Sequence, residues 1–515
     1  MPIRHTLREV IVAAQEIVRL RCIIAEDFRV YKQSIDARKK DNIHYVYSVV
    51  AKVPDGTVCD GTVLTSLAEE HELEIPQKAL VSRPVVVGMG PCGLFAAYVL
   101  CKSGNPPLLI ERGEPVEKRT ETVQMFWNGG ELNPESNIQF GEGGAGTFSD
   151  GKLNTRISDP RQRYVLHTFY QHGGPEDILY KAKPHIGTDK LRDVIVSMRN
   201  EILRMGGEIR FDTCLTGVKY RDGAVTEIEL NHSESISCHT LILAIGHSSR
   251  DTYEMLSNMQ IPMEAKPFAV GVRAEHRQAF INHAQYGDVA DALPAADYRL
   301  VYNGKDRSCY SFCMCPGGQV VNASSEEGRL VVNGMSHHSR DGENANSALV
   351  VTIKPSDFQG KGPLAGVGFQ RKYEALAYAT GGADGSAPVQ LIRDFMIDRP
   401  SIELLDVHPS FTGRWRFAEL KQCLPDFVTE TLKEGLASFE RKMKGFSTQG
   451  GVLTGVEMRT SAPLRILRGE DFQSIGVKGL YPAGEGAGYA GGIVSAAVDG
   501  IRCALAVLEN ERKKI

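Results

Sequence analysis

At 515 residues, with 42% hydrophobic and 24% charged residues, the chain is long enough for two or three domains and has the composition of an ordinary soluble globular protein. A net charge of -4 offers no general attraction to nucleic acid or anionic lipid, and no run reaches the roughly 18 apolar residues of a membrane span. The 11 cysteines are odd in number and scattered, and MPIRHTLREV lacks a secretory-signal pattern, so a reducing cytoplasm is the expected location.

Residues 1–80 are expected to form a small α+β domain of ferredoxin-like type. Leu7 to Leu20 has helical apolar spacing, Phe28 to Ile35 and His44 to Val53 read as strands, and Thr65 to His71 reads as a second helix. Arg38, Lys39 and Lys40 form a basic turn that reads as a solvated hairpin tip rather than a nucleic-acid contact.

From about Ser82 the chain turns to phosphate chemistry. The apolar run Val85 to Val87 ends at Gly88, and GMGPCG leads into an apolar helix, Leu94 to Leu100. Gly88 permits the tight turn, Gly90 lets the backbone approach a pyrophosphate, and Gly93 lets helix and strand pack closely. The helix N-terminus offers N–H groups and a positive dipole end to the phosphates. A second apolar run, Leu108 to Ile110, delivers Glu111 where it can accept ribose hydroxyls.

The run from Gln139 to Lys152 follows, with five glycines between Gly141 and Gly151. Gly143, Gly144 and Gly146 let the backbone approach a flat or charged ligand, and Phe140 and Phe148 argue against a purely solvated loop. A helix over Asp189 to Met205, a strand over Glu208 to Phe211, an antiparallel meander from Cys214 to Leu230 and a buried strand from His239 to Ile245, ending at Gly246, continue the unit. Residues 266–445 mix strand and loop signals and are read as a substrate domain. The C-terminal segment has a strand from Gly479 to Ala483, the turn YPAGEGAGYAGGI, and a helix from Ile493 to Leu508 that returns to the first sheet. There Glu485 could accept hydrogen bonds from a sugar-alcohol, and the turn at Gly491 and Gly492 reads either as a ligand-facing helix start or as a closely packed cap.

In that order, GMGPCG, the acid in IERG, LILAIG and GLYPAGEGAGYAGGI resemble the FAD-binding two-dinucleotide-binding-domain flavoproteins. More narrowly, SIDARKK, NIQFGEGGAGTFSDGKL, KPHIGTDKLR, LAIGHSSRDTYEML, KPFAVGVR, YSFCMCPGGQVV, NGMS and GVEMRTSAP resemble the largely uncharacterised bacterial FAD-dependent dehydrogenases, over nearly the whole chain from about residue 28. The resemblance implies an α/β fold: a discontinuous, three-layer, Rossmann-type FAD-binding domain (81–265 and 446–515), a mixed β-rich substrate domain (266–445) and the small N-terminal domain (1–80). It also implies roles by position. Gly88, Gly90, Pro91 and Gly93 would surround the FAD pyrophosphate. Glu111 and Arg112 would meet the adenosine, Leu215 the adenine through its backbone, and Gly246 the adenosine end. Gly143, Gly144, Ala145, Gly146 and Thr147 would lie along the middle of FAD. Gly484 and Glu485 would reach the ribityl region, and Gly491, Gly492 and Ile493 would face the pyrimidine edge of the flavin. Glu485 stands where such sites often carry Asp.

No cysteine lies between Cys101 and Cys214, which speaks against a disulfide just after the first helix, and no second strand–GxGxxG–helix unit for a nicotinamide is found. Cys313 and Cys315, in CMCPGG, form a pair that is either redox-active or nucleophilic, or else two inert thiols at a buried strand end. His337 and His338 lack a recognised zinc spacing, and no metal is expected. Lys152, Arg273, Glu457 and Arg459 could orient a substrate carboxylate or form structural ion pairs. The reading is a cytoplasmic FAD-dependent oxidoreductase, a dehydrogenase moving a hydride between flavin and a small organic substrate, with NAD(P)H as a transient partner and no nucleic acid. The alternatives are a flavin-dependent RNA-modifying enzyme and an FAD-containing binding or sensing module.

Overall fold

The computed structural model describes residues 1–60, 62–63, 72–155 and 157–510. The helix expected over Thr65 to His71 lies outside the described residues.

A five-stranded parallel sheet forms the centre of the nucleotide unit, in the order Leu480–Pro482, Leu241–Leu243, Val85–Val87, Leu108–Ile110, Glu208–Arg210. Its strands are short and almost wholly apolar because both faces are covered. Side-chain alternation separates two cores. Val86, Leu109, Ile242 and Tyr481 face the helices Pro91–Lys102, Thr188–Arg204 and Ile493–Asn510. Val85, Val87, Leu108, Ile110, Leu241 and Leu243 face a three-stranded antiparallel meander built from Leu215–Arg221, Ala224–Leu230 and Glu234–Ser237. Helices, sheet and meander thus make three layers. Thr188–Arg204 shows the rule by which the helices dock: Leu191, Val194, Ile195, Met198 and Ile202 recur at helical spacing and are buried.

Two helices of this unit escape the apolar pattern, Val116–Trp127 and Arg161–Gln171. In the first, the inward stripe is Val116, Arg119, Val123 and Trp127, so a fully buried arginine occupies a position where periodicity would demand an apolar residue.

The second unit is a seven-stranded sheet in the order Val301–Asn303, Ser308–Cys315, Asn344–Ile353, Phe268–Arg277, Val452–Glu457, Ala387–Leu391, Trp415–Phe417. It is antiparallel except at its last pair. One face carries Val270, Val272, Leu349 and Val351 and joins a core with Val428, Leu432, Leu436 and Phe439 of the helix Asp426–Lys442. Gly435 permits that approach, since a methyl group there would lie 2.6 Å from Cys309 Sγ.

This sheet corrects the expected boundary. Val452–Glu457 pairs with both Phe268–Arg277 and Ala387–Leu391, so the chain re-enters the nucleotide unit after about residue 460 rather than at 446. All six residues of that strand are buried. The two chain crossings pair with each other, Met263–Ala265 running antiparallel to Leu464–Ile466.

The N-terminal unit also departs from expectation. Its helix Leu7–Leu20, closed by a Thr6/Glu9 capping box, accompanies the hairpin Glu26–Asp36/His44–Lys52. Among the described residues only the two-residue strands Val58–Cys59 and Thr62–Val63 follow, and they pair with each other, so the sheet is two-stranded and not ferredoxin-like. The apolar residues beyond them are committed elsewhere: Leu73, Ile75 and Leu80 pack on the nucleotide unit, where the Asn105 Oδ1 accepts from Leu80 N–H at 2.7 Å.

Candidate functional site

The glycine turn is tight for steric reasons. Gly88 holds φ +95°, and a methyl group on it would lie 2.3 Å from the Ala244 carbonyl oxygen. A methyl group on Gly93 would lie 1.8 Å from the Gly88 carbonyl oxygen, so the helix can start only on a bare backbone. That helix, Pro91–Lys102, is N-capped by Gly90 with no side-chain cap, which leaves its first N–H groups to a ligand.

Three parts of the sequence meet there. Gly143 N–H donates to the Met89 carbonyl at 2.8 Å. A methyl group on Gly144 would reach Gly90 Cα at 3.0 Å, and one on Gly146 would reach Ile493 Cγ1 at 3.2 Å and Pro91 Cγ at 4.0 Å. Ala145 opens a short 3-10 turn that ends at Phe148, and Thr188 Oγ1 donates to the Thr147 carbonyl at 2.5 Å. At Gly491 a methyl group would meet open space, and Gly491 N–H donates to Ser495 Oγ at 3.2 Å. Gly484 lies against Cys92, and Gly486 against Gly246. Leu215 sits apart from these turns, buried in the core between sheet and meander.

Glu111 is buried and joins segments rather than pointing free. Its Oε2 accepts from Met89 N–H at 2.8 Å, and its Oε1 from Gly113 and Gly141 N–H at 3.0 and 2.9 Å. Arg112 lies over the Phe140 ring at 4.2 Å and pairs with Asp251 through two bonds, and with Glu135.

Side chains given no role by the sequence hold these loops. Arg119 donates to the carbonyls of Asn137, Ile138, Gly141, Glu142 and Gly144 at 2.7–3.2 Å. Burial lowers its guanidinium to about 9, yet the carbonyls hold it. Asp499 accepts from Gly484 N–H at 2.7 Å while bound bidentately by Arg468. Tyr253 donates to the Gly486 carbonyl at 2.7 Å. Only a charged or aromatic residue on an otherwise apolar helix stripe would have flagged them.

The loop then runs onto the second unit. Asp150 takes the Arg340 guanidinium and the Ser336 hydroxyl, and Lys152 Nζ at 3.0 Å. Burial alone would lower Lys152, but Asp150, Cys315 and Cys313 keep it above its usual range. The sheet face that carries these neighbours is polar although buried. Arg273 stands opposite Ala348 and Thr454, Cys315 opposite Asn346, and Gly271 opposite Glu457. Arg273 Nε and Glu457 Oε2 are 3.5 Å apart, and Arg273 Nη2 donates to the Cys313 carbonyl at 2.9 Å. Among the described residues, Arg273 Nε, Glu457 Oε2, Thr454 Oγ1 and both amide atoms of Asn346 are buried without a hydrogen-bond partner. Burial, opposed by Arg273, raises Glu457 to about 7; burial, opposed by Lys266, raises Glu485 likewise to about 7.

Arg459 serves a different purpose. It and Arg250 clasp Glu374 from two sides at 2.8 and 2.9 Å, all three buried, and so lock one unit to the other. His338 stacks on His185 at 5.1 Å. Among the described residues no group of three or more His, Cys, Asp or Glu is arranged to hold a metal ion.

The glycine-lined parallel-sheet turn, the acid after the second strand and the returning C-terminal helix define a flavoprotein. The chain belongs to a family of uncharacterised FAD-dependent proteins: it is 52% identical over 494 residues to an uncharacterised protein of Clostridium beijerinckii, covering 93% of this chain and 92% of that one. Residues 267–460 match the family described as FAD-dependent protein, C-terminal domain-like, and residues 9–52 match a domain of unknown function. FAD is its cofactor. Solved structures to which the chain shows similarity include a point mutant of the halogenase PltM in complex with FAD (10% identity, TM-score 0.41, covering 84% of this chain and 70% of that chain). Another is a geranylgeranyl bacteriochlorophyll reductase-like protein of Thermoplasma acidophilum (13% identity, TM-score 0.34, covering 84% and 79%). No helix among the described residues is long and apolar enough to cross a membrane.

Proposed function

We propose that the protein is an oxidoreductase that moves a hydride between FAD and a small organic substrate bound on the polar face of the seven-stranded sheet. The observation that carries this reading is the set of unpartnered buried atoms on that face. Each such atom costs about 1–3 kcal/mol if left unmade, so a ligand that supplies partners is favoured there.

The cradle fits the cofactor: Gly90 and Gly144 present bare backbone beside an uncapped helix N-terminus. In this reading Gly88, Gly90, Pro91 and Gly93 hold the pyrophosphate, Glu111, Arg112, Leu215 and Gly246 the adenosine, and Gly143 to Thr147 with Gly484 and Glu485 the middle. Gly491, Gly492 and Ile493 face the ring. Bound FAD supplies two-electron chemistry.

The chain's own residues do the rest. Arg273 and Lys152 orient a substrate carboxylate by charge. Glu457, raised to about 7, can take a proton from, or return one to, the substrate's hydroxyl or amino group as the carbon that bears it loses or gains the hydride. The Arg250–Glu374–Arg459 clasp keeps the sheet against the cradle and excludes water. A nicotinamide, NAD(P)H, is the partner that returns electrons.

Anaerobic titration of the yellow protein with NADH, NADPH and a panel of small hydroxy and amino acids tests this. Bleaching of the flavin by a carboxylate substrate is expected, with a raised KM in Arg273→Met. Bleaching by none of them, or equal saturation in Arg273→Met, would overturn it.

A further inference from the structure

We propose that Cys313 and Cys315 are a reversible dithiol–disulfide couple that exchanges with small anionic disulfides, half-buried Cys313 attacking and buried Cys315 resolving. The exchange steps need no flavin, so this inference stands apart from the hydride-transfer reading.

Four observations converge. First, the strand is bulged here: Phe312 stands opposite Ala348 but Cys315 opposite Asn346, so three steps on one strand match two on the other. Second, Cys313 holds φ +43°, a left-handed conformation that costs a side-chain-bearing residue about 1–3 kcal/mol and tends to persist at functional positions. Third, the kink turns the Cys315 thiol back onto Cys313, its Sγ donating to the Cys313 carbonyl oxygen at 3.3 Å. Fourth, two cations attend the pair: Arg273 Nη2 donates to the Cys313 carbonyl at 2.9 Å, and the charge of Lys152 bears on both thiols.

The neighbouring Cys315 thiol, with Lys152 and Arg273 and against burial and Asp150, lowers Cys313, while the Cys313 thiol and burial raise Cys315. Cys309, on the same strand, is the internal contrast. It points to the opposite, apolar face against Gly435, and burial pushes it up to about 12. One thiol is packed, whereas the other two are placed to react.

In the exchange, the Cys313 thiolate attacks one sulfur of R–S–S–R. That S–S bond breaks, one RS⁻ leaves and a Cys313 mixed disulfide forms. Cys315 loses its proton to water and attacks Cys313 Sγ, the second RS⁻ leaves, and a Cys313–Cys315 disulfide remains. One external disulfide is reduced by two electrons and the dithiol is oxidised by two. An added small dithiol reverses the sequence. The cationic surroundings select anionic disulfides.

The test uses the flavin-loaded protein with Cys22, Cys59 and Cys214, the other thiols not fully buried, changed to Ser. Dithiobis(nitrobenzoate) is the anionic probe and hydroxyethyl disulfide the neutral one. The expected result is a fast phase releasing two thionitrobenzoates per chain, after which the peptide with Cys313 and Cys315 is lighter by two hydrogens and resists alkylation. Cys315→Ser should release one and stop at the mixed disulfide, and Cys313→Ser should lose the phase. Between about pH 6 and 8 the fast phase should change little, whereas an ordinary thiol gains about a hundredfold. The anionic probe should react at least about tenfold faster than the neutral one relative to a free thiol peptide. The mass readout on the parent needs no variant at the pair, so misfolding cannot mask the answer. A peptide that alkylates at both thiols after probe treatment, or a fast phase that survives Cys313→Ser, would overturn the proposal.

Discussion

Gly90 and Gly144 meet backbone to backbone, although 54 positions separate them: a methyl group on Gly144 would sit 3.0 Å from Gly90 Cα. The contact is asymmetric. A methyl group on Gly90 would have Gly144 Cα at an ordinary 3.7 Å, and Gly90 has an unexceptional φ of -74°. Gly144 holds φ +62°. Gly90→Ala should therefore fold with a melting temperature near that of the parent yet purify with less FAD. Gly144→Ala should lose about 1–3 kcal/mol as well as flavin. Thermal melts and the flavin-to-protein absorbance ratio separate the two effects, and a fully yellow Gly90→Ala protein would count against the pyrophosphate assignment.

Arg119 offers a second route to the same loop. Replacing it with Met would take the guanidinium from five carbonyls of residues 137–144; those of Gly141, Glu142 and Gly144 keep a second donor, whereas those of Asn137 and Ile138 are abandoned. A loss of at least about 3 kcal/mol is expected, together with FAD release, because each abandoned buried acceptor costs about 1–3 kcal/mol. Lys reaches fewer carbonyls than the planar guanidinium and should rescue only partly. Denaturant melts with and without added FAD give the measurement.

Glu457 should write itself into the pH profile. Burial raises its carboxyl to about 7, so its basic form grows as pH rises through that value. The substrate-oxidising half-reaction should accelerate across about pH 6 to 8, and Glu457→Gln should flatten that limb. The stability effect has the opposite sign. A carboxyl whose folded pKa lies above its unfolded one contributes stability that is complete below about 4.3 and is lost as pH rises through about 7. Glu457→Gln protein should thus lose less stability than the parent between about pH 5 and 8, by on the order of 1–3 kcal/mol.

Glu374 is the centre of the clasp between the two units. Glu374→Gln removes the fully buried carboxylate that Arg250 and Arg459 share and leaves them only the half-buried Glu326, and should cost about 3 kcal/mol and split thermal unfolding into two transitions. Replacing all three by apolar residues should cost less than the single change. A single unaltered transition in Glu374→Gln would show that the clasp does not couple the units.

The parallel sheet was legible because its strands are short apolar runs, and the turn after Val87 because steric need at Gly88 and Gly93 leaves no other residue. The three-layer order came from the family resemblance, whereas the alternation between Cys214 and Leu230 marked only the antiparallel meander, whose strands pair as Leu215–Arg221 and Ala224–Leu230. What remained hidden shares one cause: polar residues in buried places. Arg119 interrupts the stripe of its helix, so Val116–Trp127 shows no periodicity. Arg273, Asn346 and Thr454 become a single face only when three distant strands pair, and no spacing in the sequence encodes that pairing. The boundary at 446 falls short because Val452–Glu457 joins the seven-stranded sheet through pairing with Phe268–Arg277 and Ala387–Leu391, partners that local sequence does not reveal.

The antiparallel contact between Met263–Ala265 and Leu464–Ile466 means that the seven-stranded unit leaves and rejoins the rest of the chain at neighbouring points. A segment whose two ends lie side by side is a cassette. It can be lengthened, exchanged or bridged by a few residues while the cradle around Gly90 keeps its strands in place. The chemistry proposed for Arg273, Glu457 and the Cys313–Cys315 pair lies within that cassette, so it can diverge among relatives while the cradle is kept.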